Sequence, residues 1–284
     1  MWNKTWQCDN HLHKELTLIF SALNPVIKEL QGRTIWIVGA SSGIGFSLAK
    51  ILKKSKNTLI LSARREELLK ENFPNSIVCP LDIKNDSSVE NFFKTMVAKE
   101  LSIDMVFWCP AIYAPMHIQD LNEELAEEII IVNFLKTIRP FNKLKNYWIE
   151  NKCTMRNSPQ WIWISSVGGY IGLPGATTYG ASKAAMNHFA ESSYIELKKF
   201  NIHISLVCPG FVDTRLTKKN KGSMPLIMTS DLAAKQIVDG VKKGRFEIHF
   251  PLVFSLYLKL LRILPKRIFF FLMNILFKNG RWHD

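Results

Sequence analysis

Thr34-Ile-Trp-Ile-Val-Gly39-Ala-Ser-Ser-Gly43-Ile-Gly45 is the stretch on which the fold of this chain turns. Its first five residues are apolar or β-branched and stop at a glycine, the pattern of a short strand buried on both faces. A glycine turn follows, and a helix begins near Gly43. Outward from this unit, strands are expected at Thr58 to Ser62, Ile77 to Cys79, Asp104 to Trp108, Trp161 to Ser165 and Ile202 to Val207. Helical patterns fall between them, at Val89 to Lys99, Glu124 to Trp148 and Thr178 to Phe200. Strands without a polar face that alternate with helices predict a doubly wound α/β fold, its sheet mostly parallel and its crossovers right-handed. Residues 34–249 are read as one domain, with an extension at 1–33 and a helical tail at 250–284. Asn151 to Pro159 is read as a surface loop.

The 284 residues are 47% hydrophobic and 21% charged, a globular composition with room for one large core. A mean hydropathy of +0.02 is high, which suggests exposed apolar surface. The net charge of +13 asks for an anionic partner: nucleic acid, a phosphorylated cofactor or an acidic membrane. Cys8, Cys79, Cys109, Cys153 and Cys208 are scattered and lack metal-ligand spacing, so they read as reduced and structural. Leu16 to Leu23 is modestly apolar but follows Glu15 and precedes no clean cleavage site, which argues against a secretory signal. No uncharged apolar run reaches the roughly 20 residues needed to span a bilayer. A cytoplasmic protein is expected, at the membrane surface if the tail binds there.

The glycine turn lies between a strand and a helix, where a backbone can approach a pyrophosphate at the helix N-terminus. Strand two ends in Ser62-Ala-Arg64-Arg65, with no acid placed to take a ribose 2′-hydroxyl. Arg64 and Arg65 suit a 2′-phosphate instead, which favours NADP over NAD; the plainer reading is of two solvated residues starting a helix. Tyr179 and Lys183 stand four residues apart on one helix, so an ammonium can sit beside a phenol and lower its pKa for acid–base work. Strand five delivers Ser165 and Ser166 at its carboxyl edge, where open α/β sheets bind ligands. Asn133 places an amide in an apolar run, and a satisfied core amide is the plain alternative.

The GxxxGxG spacing, Asn133, the serines, Tyr179-x-x-x-Lys183 and Cys208-Pro209-Gly210 occur in one order over residues 34 to 240. In this the chain resembles the classical short-chain dehydrogenase/reductase family. The resemblance implies a dinucleotide held by Gly39, Ser41, Ser42, Gly43, Ile44, Gly45, Arg64 and Arg65. It adds Asp82 and Ile83 at the adenine, Asp82 being alternatively a helix cap. Tyr179 and Lys183 at the ribose, and Pro209, Gly210, Val212 and Thr214 beside the nicotinamide, complete the set. It implies a catalytic group of Asn133 as proton relay, Ser166 on the substrate oxygen, Tyr179 as acid/base and Lys183 as its partner. Ser166 lies thirteen residues before the tyrosine (179 − 166), the family's interval, and Ser165 is the reserve. The implied reaction is hydride transfer between nicotinamide and a carbonyl or secondary alcohol, in the direction of reduction and without metal. One departure is Trp108-Cys-Pro-Ala111, where the family carries Asn-Asn-Ala-Gly; it implies shifted packing at the adenine side, with Cys109 as filler rather than nucleophile. A non-catalytic dinucleotide sensor or scaffold of the same fold is the rival reading.

In the tail, Pro265 divides two apolar pieces carrying Lys259, Arg262, Lys266 and Arg267. A peripheral membrane contact, a lid over a hydrophobic substrate and a homo-oligomer contact are all compatible with it. No interleaved aromatic and basic motif points to nucleic acid.

Overall fold

The computed structural model describes residues 21–151, 157–220 and 224–278. Cys8, Cys153, residues 16–20 of the apolar N-terminal stretch, 152–156 of the expected loop and the last six residues of the tail lie outside these. The chain runs β1 (Thr34–Val38), α1 (Gly43–Leu52), β2 (Thr58–Ser62), α2 (Glu66–Asn72), β3 (Ile77–Val78), α3 (Asp86–Ala98), β4 (Met105–Trp108) and α4 (Glu123–Ile130). A π-helical turn (Ile131–Leu135) leads into α5 (Lys136–Glu150), then β5 (Gln160–Ile164), α6 (Thr177–Leu197), β6 (His203–Pro209), the two-residue strands β7 (Val212–Asp213) and β8 (Met228–Thr229), α7 (Ser230–Lys242), β9 (Glu247–Phe250), α8 (Leu252–Ile263) and α9 (Lys266–Lys278). The main sheet has the order β3-β2-β1-β4-β5-β6-β9, every pair parallel. This is the doubly wound fold expected. The reversal of strand order falls between β1 and β4, where such sheets open a crevice at their carboxyl ends.

The strands are apolar on both faces because helices cover both. Trp36, Val38, Val106, Trp108, Trp161 and Trp163 point to one layer, Ile35, Ile37, Met105, Phe107, Ile162 and Ile164 to the other. The first layer is aromatic: Trp36 stacks on Phe92 at 4.1 Å between centroids and Trp108 on Trp161 at 5.6 Å. Trp36 and Trp163 donate their indole N–H groups to Ser62 Oγ and Thr137 Oγ1, whereas those of Trp108 and Trp161 are buried without a partner among the described residues.

Element boundaries differ from the expectation where side chains choose otherwise. Asp104 leaves β4 because its carboxylate accepts the Thr34 N–H at 2.8 Å. The Glu124–Trp148 helix is interrupted by the π turn at Asn133. Strand β9 was not expected, since Glu-Ile-His-Phe carries the alternation of an edge strand rather than a continuous apolar run. Helix α2 does start at Arg65, its N-cap residue, as the plainer reading of the two arginines has it, whereas α7 was not expected; it opens at Thr229, whose hydroxyl caps the Leu232 N–H.

The tail is packed, not free. Leu258 and Leu261 of α8 and Phe269 and Met273 of α9 are buried in the aromatic core layer. The break at Pro265 falls as expected, and no helix among the described residues is long and apolar enough to cross a membrane. At the other end, Asn24 and Ile27 donate their N–H groups to Gly244 and Lys242, and Leu30 is buried, so residues 21–33 are tied onto the domain.

Candidate active site

Five strands deliver residues to one cleft. Gly39 follows β1, Arg64 lies just past β2, Cys109 follows β4, Ser165 and Ser166 follow β5, and Pro209 ends β6; all line a cavity of about 830 Å³. The expected dinucleotide set lines it too: Ser41, Ser42, Gly43, Ile44, Gly45, Arg65, Asp82, Ile83, Gly210, Val212 and Thr214.

The glycine turn is pinned by its own backbone, Gly39 and Ala40 both donating to the Ser62 carbonyl. Gly43 sits at φ +55°, in the left-handed region, and a Cβ there would lie 3.0 Å from the Thr214 methyl. At Gly45 a Cβ would lie 2.5 Å from the Gly39 carbonyl oxygen, so α1 can approach the turn only without a side chain. No side chain caps the start of α1 and its first turn carries no acid, which leaves its N–H groups to an anion. A cradle of this shape fits a pyrophosphate.

Arg65 donates to the Ser41 hydroxyl at 2.9 Å and to its carbonyl, joining the end of β2 to the glycine turn. Desolvation and the positive charges of Arg215 and Arg64 lower the pKa of Arg65. Three guanidinium groups therefore converge on this end of the cleft, and among the described residues none has a carboxylate partner within ion-pair distance. Sequence reasoning missed Arg215, along with Lys219 and Lys84 on the same rim. The available signal was position: Arg215 directly follows Thr214. Asp82 is not the helix cap; Asn85 caps α3 through Ser88, and Asp82 accepts the Lys84 N–H while facing the cavity.

Tyr179 lies in the first turn of α6, with Lys183 one turn on and its Nζ 5.7 Å from the phenol ring centroid. Ser166 hydrogen-bonds towards Tyr179 and accepts the Gly168 N–H at 3.1 Å. Ser165 borders the cavity too, but it is buried and its hydroxyl is committed to Asn187 Oδ1, to which it donates. Asn133 is fully buried, its amide spent on Ile112 N and O and on the Ser182 hydroxyl. It thus fastens the loop after β4 to α6, directly beside Lys183 in the chain, as a satisfied amide. Cys109 and Cys208 are both pushed up to about 12 by burial, which makes them poor nucleophiles. Pro110 packs its nitrogen against Gly39, at 3.3 Å from where a Cβ would stand, so the departure after β4 is accommodated by packing. Tyr113, also missed, sets its ring edge-on to Tyr179 at 5.0 Å.

One electrostatic expectation is corrected. Lys183 does not hold the Tyr179 phenol below its ordinary value; burial pushes it up to about 12, against the opposing hydrogen bond from Ser166. The same burial brings Lys183 down to about 8, and its Nζ donates to the Ile164 carbonyl at 2.9 Å. Desolvation is the largest influence on both groups. For Lys183 the unfolded chain binds more protons between pH of about 8 and 10.5, so its contribution to stability rises with pH across that window. The unfolding free energy of the protein minus that of Lys183→Met is expected to increase by roughly 3 kcal/mol over this range, read by denaturant titration at each pH. A flat difference would mean that Lys183 is not desolvated.

Residues 33–224 match the family model for short chain dehydrogenase. A 3-ketodihydrosphingosine reductase of Bos taurus is 26% identical over 253 residues, 81% of this chain and 75% of its own length. An uncharacterised oxidoreductase of Myxococcus xanthus is 26% identical over 85% of this chain and 96% of its own. Among solved structures, a short chain dehydrogenase from Burkholderia cenocepacia in complex with NADP superposes with a TM-score of 0.73 at 18% identity, covering 84% of this chain and 96% of that one. One from Sphingobium yanoikuyae in complex with NADPH gives 0.68 at 18%, over 82% and 97%.

Proposed function

The chain belongs to the short-chain dehydrogenase/reductase family, and from that premise we propose that it is an NADP(H)-dependent reductase of a carbonyl group on a hydrophobic compound. The observation that carries this reading is the meeting of Ser166, Tyr179 and Lys183 on the wall of the cavity that the glycine turn floors. A phenol near 12 is fully protonated at neutral pH, the state required of a donor to a substrate oxygen.

Bound nicotinamide supplies hydride, which is the cofactor's chemistry rather than the protein's. Gly39 to Gly45 would hold the pyrophosphate, and Asp82 and Ile83 would border the adenine. Pro209, Gly210, Val212 and Thr214 would flank the nicotinamide end. Ser166 would hold the substrate oxygen beside Tyr179, which gives it the proton. Lys183, near 8 and behind the phenol, is the nearest cation to favour the phenolate left behind. Asn133 keeps a positioning share of the relay role, because its side chain is committed to Ile112 and Ser182.

The preference for NADP rests on Arg64, Arg65 and Arg215 meeting beyond the end of β2 without an ion-pair partner among the described residues, the Glu128 carboxylate on the same rim being paired with Lys84. Arg64→Ala and Arg215→Ala should each raise the KM for NADPH about ten-fold and leave that for NADH unchanged, the scale of one lost charge-assisted hydrogen bond. Equal weakening of both cofactors would reject the assignment. Curated relatives named for reducing 3-ketodihydrosphingosine support a ketone on an apolar body. Behind the lining at this end of the cleft, Phe211 stacks on Phe254 at 5.9 Å and Tyr113 packs on Tyr179, an apolar surround that matches such a body. The tail is read as a peripheral membrane contact of a protein facing the cytoplasm. A screen of aldehydes, ketones and 3-oxoacyl compounds against both cofactors tests the reading: NADPH oxidation is expected with long-chain ketones. NADPH binding with no turnover on any of them would support a sensor instead.

A further inference from the structure

Helices α8 and α9 each lay one apolar stripe on the core and turn another to solvent. On α8 the outward stripe is Leu252, Val253, Leu256, Leu260 and Ile263, with Val253 and Ile263 both 76% exposed. On α9 it is Ile268, Phe270, Phe271 and Ile275, with Phe271 64% exposed. A soluble helix carries polar residues on that side. Residues 251–283 contain no aspartate or glutamate.

The charges decide what covers this face. Arg262, Lys266 and Arg267 are exposed and have no carboxylate partner among the described residues. Five surface lysines elsewhere, Lys50, Lys70, Lys84, Lys136 and Lys143, are paired with acids, while Arg64, Arg65 and Arg215 at the cleft are not, among the described residues. A second copy docked on the same patch would set these three cations against themselves with no acid between them. An anionic lipid surface takes both features at once, apolar and aromatic side chains entering the acyl boundary and guanidinium and ammonium groups meeting phosphates.

The inner side of α8 packs directly behind the cleft, against Gly210 of its lining. Phe254 stacks on Phe211, and it lies 3.3 Å from where a Cβ on Gly210 would stand. Lys259 pairs with Glu247, which accepts a hydrogen bond from the Tyr170 hydroxyl on the turn that follows Ser166. One helix thus joins the outward face to the serine turn. We infer that the outer faces of α8 and α9 dock on an anionic bilayer, and that the hydrophobic carbonyl substrate enters the cleft from that bilayer past α8. The second half of this inference rests on the reductase reading above; the docking does not.

The test uses the full chain with phosphatidylcholine vesicles, with and without phosphatidylserine. Sedimentation is expected with the anionic vesicles, weakened at least about ten-fold on neutral ones and by added salt. Val253→Glu/Ile263→Glu/Phe271→Glu should lose binding at least about ten-fold, and Arg262→Ala about five-fold. NADPH binding should persist in both variants as the sign of an intact fold. With a long-chain ketone dissolved in the vesicles, the triple variant should lose turnover, while turnover of a short soluble ketone stays unchanged. Protein that stays in the supernatant, variants that sediment like the parent, or a triple variant that turns a dimer into a monomer with no vesicle effect would each overturn the docking. Vesicle binding without reduction of any ketone would support the docking and count against the reductase.

Discussion

Tyr179→Phe is expected to lower kcat about a thousand-fold with NADPH affinity unchanged, the range in which a positioned general acid acts. The substitution removes one oxygen and little else. The ring stays edge-on to Tyr113, and Lys183 keeps its bond to the Ile164 carbonyl, so the floor of the cleft is preserved. Only the proton donor and the bond towards Ser166 are lost. Because burial holds the phenol near 12, no activity limb from its ionisation should appear below that value in the unliganded protein. Single-turnover measurement of NADPH oxidation separates the chemical step from binding. Turnover by Tyr179→Phe equal to that of the parent would rule out the mechanism. Ser166→Ala should cost less, because the phenol can still reach the substrate oxygen.

Gly45→Ala should abolish measurable NADPH binding and cost about 1–3 kcal/mol of stability, the scale of overpacking in a closed contact. The added methyl would stand 2.5 Å from the Gly39 carbonyl oxygen, and both groups belong to backbone that cannot swing aside. Either α1 lifts away from β1 or the turn opens, and both outcomes move the N–H groups aimed at the pyrophosphate. Gly43→Ala should share the binding defect through its positive φ and the Thr214 contact. Gly172→Ala, with no heavy atom within 4 Å of the added carbon, is the control and should change neither quantity. NADPH fluorescence and thermal melting read the two effects separately. Parental binding by Gly45→Ala would mean that this turn is not the dinucleotide cradle.

The central strands were legible because they are buried on both sides. β1 and β2 fall on the residues their apolar runs indicate, and β4 to β6 lie within two residues of them. Local pattern failed at the periphery. Edge strand β9 is four residues long and half of them polar, too short for its alternation to stand out, and the extent of short α2 becomes clear only once Leu69 is seen packed in the core. Of the cleft lining, Tyr179, Lys183 and Ser166 were legible as candidates from spacing and order. Arg215 was not, because what brings it to Arg65 is the loop after β6 folding back over the glycine turn.

By itself the sequence determined the doubly wound sheet, the glycine turn, the order of the candidate catalytic residues and the split of the tail at Pro265, since each depends on neighbours close along the chain. Tertiary structure alone decided which serine is left to the cleft, committing Ser165 to Asn187 and turning Ser166 to Tyr179. It also reversed the electrostatics of the Tyr179 and Lys183 pair. Four residues of helix set their separation, but a pKa depends on the water removed by everything packed around them, and that packing comes from five strands distant in sequence.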